Sequence, residues 1–142
     1  MTPFQYNVHN FLSAYMSEIG LPMGSRWPSS LRIEGIETYI VLGSCTGCNA
    51  SSGQRVIDMQ SEVDKGTMAV YYYEDAELRL RVPDGVINRA IPGSIFKTLG
   101  LTVDSPPYVF NVHNGQVTGS GPASNYVKTK NSLENQKNEK EE

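Results

Sequence analysis

Most of the features that assign a function by composition are missing from this sequence. It has two cysteines in 142 residues, too few for a fold built on disulfides. No run of about 18 apolar residues occurs, so no segment reads as a membrane span. Twelve Lys and Arg against 15 Asp and Glu leave a net charge of −3, without the basic excess that draws a protein to nucleic acid. No Lys or Arg precedes Arg26, so the start lacks the positive region of a secretory signal, and it lacks the apolar stretch as well. Read literally, this predicts a cytoplasmic chain without a targeting signal. The other reading is a chain trimmed of a signal or anchor, which would place it outside the cytoplasm at a membrane. Glycine-rich phosphate loops, Ser-His-Asp spacings and internal repeats are also missing.

What remains is a chain of ordinary domain size that is 39% hydrophobic, enough for a real core. Phe4, Val8, Phe11, Leu12, Tyr15, Met16 and Ile19 fall at helical spacing and predict an amphipathic helix that Gly20 ends. Residues 1–28 form this helix and an irregular lead-in punctuated by Pro22, Gly24 and Pro28. Residues 29–129 hold the domain, and residues 130–142 are a polar tail expected to be disordered. Within the domain, Thr38 to Gly43 reads as a strand buried on both faces. A helix follows from about Cys48 to Val63, with Val56, Met59 or Gln60, and Val63 inward. Its first turn is weakened by Ser51-Ser52-Gly53.

Met68 to Tyr73 reads as a second strand, and Leu78, Leu80 and Val82 as a short strand or extended arm. Pro83 to Pro92 reads as a turn and short helix, and Ser94 to Leu99 as a helix stopped by Gly100. Tyr108 to Val112 and Gln116 to Thr118 read as strands of a hairpin around Asn114-Gly115, with Gly119-Ser120-Gly121-Pro122 breaking the second. A last helix begins near Ala123. A helical crossover between the first two strands requires a parallel pair, whereas the last two are antiparallel. The fold class is α/β, a mixed sheet with helices on its faces.

Both cysteines lie in one window, Cys45-Thr46-Gly47-Cys48, between a buried strand and a helix. Thiolate, not thiol, attacks disulfides. A cysteine at a helix N-terminus meets unpaired backbone N–H groups and the positive end of the helix dipole, and both favour the thiolate. Cys45 takes that place, and Cys48, three residues on, can reach back to resolve a mixed disulfide. Other readings stay open at this stage. They are a short structural disulfide, a zinc site recruiting His9 and His113, or two unrelated buried cysteines. His9 and His113 otherwise read as surface residues, and Asp58, Glu62 and Asp64 as the solvated helix face. No metal and no cofactor is called for.

From about Thr38 to Tyr126 the chain resembles thioredoxins. The likeness rests on the strand, Cys45-x-x-Cys48, helix order. It rests also on Pro107-Tyr108-Val109-Phe110-Asn111-Val112-His113-Asn114-Gly115-Gln116-Val117, and on a glycine, Gly119 or Gly121, before a terminal helix. Ile19 to Pro28 is similar to the lead-in of membrane-anchored extracytoplasmic members that serve cytochrome and amine-dehydrogenase maturation. The resemblance implies a thioredoxin-like mixed sheet, Cys45 as nucleophile, Cys48 as resolving thiol and Pro107 as a cis-proline facing them. It implies substrate contacts at Ser44, Thr46, Gly47, Pro106 and Pro107, with turn backbone open to an extended substrate. The sequence departs from the pattern at several places. Ser44 replaces a tryptophan, Thr46-Gly47 replaces Gly-Pro, Tyr39 stands where a buried acid is usual, and the Leu101–Pro107 loop is about two residues longer. The implied activity is thiol–disulfide exchange by a monomer with a protein substrate and a redox partner. The alternatives are an interaction module or a metal-binding accessory protein without turnover.

Overall fold

The computed structural model describes residues 20–77 and 80–126. The predicted N-terminal helix, His9, Leu78 and the polar tail lie outside these residues. The framework is a mixed five-stranded sheet in the order β3-β2-β1-β4-β5. Its strands are β1 (Thr38–Leu42), β2 (Met68–Tyr73), β3 (Ile87–Ile91), β4 (Tyr108–His113) and β5 (Gln116–Pro122). β1 and β2 are parallel, in register from Thr38 opposite Met68 to Leu42 opposite Tyr72. β1 also pairs with β4 in the antiparallel sense, which makes it the central strand. All five of its residues are buried, as expected of a β-prone, mostly apolar run with a layer on each face.

Alternation along the strands divides the core in two. One face gathers Tyr39, Val41, Ala69, Tyr71, Tyr108 and Phe110 under Trp27, Leu31, Phe96 and Leu99. Aromatic contacts dominate it, with ring centroids 4.6 Å apart for Trp27–Tyr39, 5.2 Å for Trp27–Phe110 and 5.1 Å for Tyr108–Phe110. Pairs at such spacing add about 0.5–1.5 kcal/mol each beyond their buried area. The other face gathers Ile40, Leu42, Met68, Val70 and Val109 under Val56 and Ile57.

The helices that cover these faces are α1 (Thr46–Cys48), α2 (Gln54–Asp64) and α3 (Gly93–Thr98). α1 and α2 are joined without interruption by a π turn, Asn49–Gly53. The weak stretch Ser51-Ser52-Gly53 thus stays helical but widens, which suits residues of low helix propensity. On α2, Val56, Ile57 and Gln60 are buried, Met59 and Val63 half-buried, and Asp58, Glu62 and Asp64 exposed. α3 ends as expected, with Gly100 at φ 74°.

Two segments depart from expectation. The stretch read as a turn and short helix contains β3, which runs parallel to β2 from Ile87 opposite Ala69 to Ile91 opposite Tyr73. Its local composition is weakly β-prone, and four of its five residues are exposed. Ladder bonds to β2, not an apolar face, hold it extended. Gly119 to Pro122 does not break the last strand either. β5 continues to Pro122, with a register shift opposite Asn111 and Val112. Gly119 and Gly121 pack there as buried strand residues, and the Ser120 hydroxyl donates to the Leu21 carbonyl at 3.3 Å. Residues 80–82 form no strand and are held by Gln54. Its Oε1 accepts the Arg81 N–H at 2.9 Å and its Nε2 donates to the Arg81 carbonyl at 2.9 Å. No helix among the described residues is long and apolar enough to cross a membrane.

Candidate functional site

The two cysteines lie where the central strand gives way to the helical run. Cys45 caps α1 with extended backbone, and its Sγ accepts the Cys48 N–H at 3.2 Å. Its carbonyl accepts the Asn49 N–H at 2.9 Å, so the first helical turn closes on Cys45. Cys45 and Cys48 are joined by a disulfide, S–S 2.06 Å and Cα–Cα 5.3 Å. Both are half-buried, while Ser44, Thr46 and Gly47 around them are exposed. The bond therefore lies at the surface, on a rigid support, at the positive end of a helical run of about 19 residues.

A second segment is clamped against this turn. The Ser44 N–H donates to the Val103 carbonyl at 2.6 Å. Gly43 makes that approach possible, because a Cβ there would collide with the Val103 carbonyl oxygen and lie 3.0 Å from that of Ser105. The segment is braced from within. The Ser105 N–H donates to the Thr102 carbonyl and the Ser105 hydroxyl accepts the Thr102 N–H, both at 3.0 Å. The Thr102 hydroxyl bonds Asp104 and holds its carboxyl below the usual range. Pro106 is exposed beyond this turn. Pro107 is buried, its ring 3.4 Å from where a Gly53 Cβ would stand.

Pro107 is not a cis-proline: the described residues contain no cis peptide bond. Trans is the ordinary form, favoured at X–Pro bonds by about 0.5–1 kcal/mol. The open turn backbone is also narrower than expected. Pro106 and Pro107 have no N–H, Ser105 uses its own, and the Pro107 carbonyl accepts the Ala123 N–H at 2.8 Å.

The residue that sequence reasoning missed is Asn49. It is 3% exposed, and its Nδ2 donates to the Gly43 carbonyl at 2.9 Å, tying the start of the helical run to the end of β1. Its Oδ1 has no partner. An asparagine in a first helical turn ordinarily reads as solvated, and only the π turn and the close packing on Gly43 bury it. Tyr39, at the position expected of a buried acid, points its hydroxyl at Ile33 and not toward an acid's usual task. It accepts the Ile33 N–H at 3.0 Å, and burial pushes its pKa up. His113 is exposed at the far end of β4 and faces Glu37 at 3.5 Å, away from the cysteines. Among the described residues no three His, Cys, Asp or Glu side chains gather as metal ligands. Comparison with family models, curated proteins and solved structures finds no match for the chain.

Proposed function

We propose that this protein is a thiol–disulfide oxidoreductase of the thioredoxin-like superfamily, acting on protein disulfides through Cys45 and Cys48. The observation that carries the reading is the surface disulfide closed across the first helical turn, directly after a buried strand. Surface access and a helix N-terminus are what a nucleophilic thiolate needs.

In the reducing direction, the Cys45 thiolate attacks one sulfur of a substrate disulfide. A Cys45–substrate bond forms, the substrate bond breaks, and one substrate thiolate leaves. Cys48 then attacks the Cys45 sulfur, the Cys45–Cys48 bond forms, and the second substrate thiolate leaves. Two electrons pass from the dithiol to the substrate, and the same steps reversed oxidise a substrate dithiol. An extended substrate would run past Ser44 and Thr46 toward Pro106, whose carbonyl can accept a substrate N–H.

Insulin disulfide reduction by the full chain, with dithiothreitol regenerating the Cys45–Cys48 dithiol, tests this. Cys45→Ser abolishes the activity, and Cys48→Ser accumulates mixed disulfides that excess dithiothreitol releases. Wild-type rates from Cys45→Ser overturn the proposal.

A further inference from the structure

The opposite end of the sheet carries a cavity. Irregular residues between Gly20 and Glu37 cross the β4–β5 hairpin there. The Trp27 N–H donates to the Gly115 carbonyl at 2.8 Å, and the Val117 N–H to the Ser25 carbonyl at 2.8 Å. Arg26 bridges Gln116. The chain then turns at Pro28, whose carbonyl accepts the Leu31 and Arg32 N–H groups. This turn brings the Arg32 guanidinium back over the hairpin, Nη1 lying 2.9 Å from where a Gly115 Cβ would stand. Gly115, at φ 77°, is thus required both by the turn and by the arginine lying on it.

Between these segments lies a cavity of about 250 Å³ lined by Arg26, Arg32, Trp27, Ser29, Asn114 and Gln116 around Gly115. No carboxylate lines it. Arg26 and Arg32 make no ion pair among the described residues, where the carboxylate of Glu37 faces His113. Two arginines therefore line one concavity in a chain whose net charge is −3. Left alone they repel, and the arrangement favours a ligand that answers both. Trp27, which also lines the cavity, is 1% exposed. The arginines, the hydroxyl and the two amides all have N–H or O–H groups to donate.

We infer that this cavity is a binding site for a dianionic phosphoryl group, either inorganic phosphate or a small phosphomonoester. A tetrahedral dianion presents acceptors in several directions at once, which suits donors converging from two chain segments. Paired guanidiniums bind phosphoryl oxygens bidentately. A carboxylate, with two oxygens in one plane and a single charge, would leave part of this lining unanswered. Cys45 follows the far end of β1, on the order of 20 Å away at about 3.3 Å per strand residue, so the site is separate from the disulfide and independent of its proposed chemistry.

Equilibrium dialysis of the full chain with radiolabelled phosphate at constant ionic strength tests the inference. One site with a Kd of about 1 mM or tighter is expected. Glycerol phosphate competes if the occupant is a phosphomonoester, and phosphate alone competes if it is the free anion. Either result supports the site. Arg26→Gln and Arg32→Gln, with circular dichroism verifying the fold, each raise the Kd by at least about tenfold. Trp27 is the only tryptophan, so its fluorescence gives a second readout. Absence of saturable binding overturns the inference. So does binding that both arginine variants leave intact, or acetate competing as well as phosphate.

Discussion

Replacing Gly43 with alanine tests whether the 102–107 segment is locked onto the cysteine-bearing turn. The new Cβ would overlap the Val103 carbonyl oxygen and stand 3.0 Å from that of Ser105. Both are backbone atoms of a turn braced by its own hydrogen bonds, so no flexible side chain can swing aside. Overpacking of this kind costs about 1–3 kcal/mol. Backing the segment away also stretches the bond from the Ser44 N–H to the Val103 carbonyl, now 2.6 Å, at a further cost of about 0.5–1.5 kcal/mol. The lower chain entropy of unfolded alanine offsets about 0.4–1 kcal/mol. The net loss is about 2 kcal/mol, within roughly 0.5–4. With a urea slope of about 2 kcal/mol/M, the unfolding midpoint of the oxidised protein falls by about 1 M. Gly47→Ala is the matched control. Nothing lies within 4 Å of a Cβ there, and the residue sits in a helical turn. It is expected to be neutral or stabilising by up to about 1 kcal/mol. A Gly43→Ala midpoint within about 0.2 M of wild type would refute the clamp, because that is less than the smallest loss reckoned above, about 0.5 kcal/mol. Equal losses from both substitutions would refute it as well.

Two further outcomes follow from the core and the disulfide. Tyr71 is fully buried, its hydroxyl donates to the Leu31 carbonyl, and its pKa is pushed up to about 12 by burial first and Tyr39 second, against the pull of Arg89. A raised folded-state value means that its contribution is intact below about pH 10 and lost as pH rises through about 12. Tyr71→Phe therefore destabilises at neutral pH by about 1 kcal/mol, and the gap to wild type narrows in urea titrations above about pH 10. A gap that widens there contradicts the assignment. Closing only the four residues from Cys45 to Cys48 removes little unfolded-state entropy, so oxidised and reduced protein differ by about 2 kcal/mol or less in urea stability. A much larger gap would mean that reduction disturbs the helical run itself.

Legibility in the sequence follows physical type. β1 and β2 were readable because a continuous apolar run with helices on both faces has few alternatives. The hairpin at Asn114-Gly115 was readable because the turn demands positive φ, and both residues have it. β3 was not, since Asn88-Arg89-Ala90 has neither alternation nor β-branching, and pairing with β2 holds it. Gly121 was read as a breaker because glycine punctuates exposed chain, yet in β5 it is buried opposite Val109. The cysteine window was found from spacing alone. Its supports were not, because Gly43, Asn49 and Val103 matter through contacts that cross between distant segments. The cavity at Arg26 and Arg32 was invisible for the same reason: its walls come from two segments more than 80 residues apart in the chain.

The proposed exchange also requires a destination for the Cys48 proton. Tyr39 cannot receive it, since its hydroxyl is held by the Ile33 backbone and its ring belongs to the face opposite α2. Asn49 is adjacent in sequence and buried, but an amide does not take up a proton at neutral pH. Its unpartnered Oδ1 can only accept a hydrogen bond. Because Cys48 is half-exposed, the proton can pass to water or to the substrate thiolate that the first attack releases. The second route balances charge within the complex and requires no buried acid. On the proposed reading, proton transfer would then lie at the substrate interface, and Tyr39 would have no part in it.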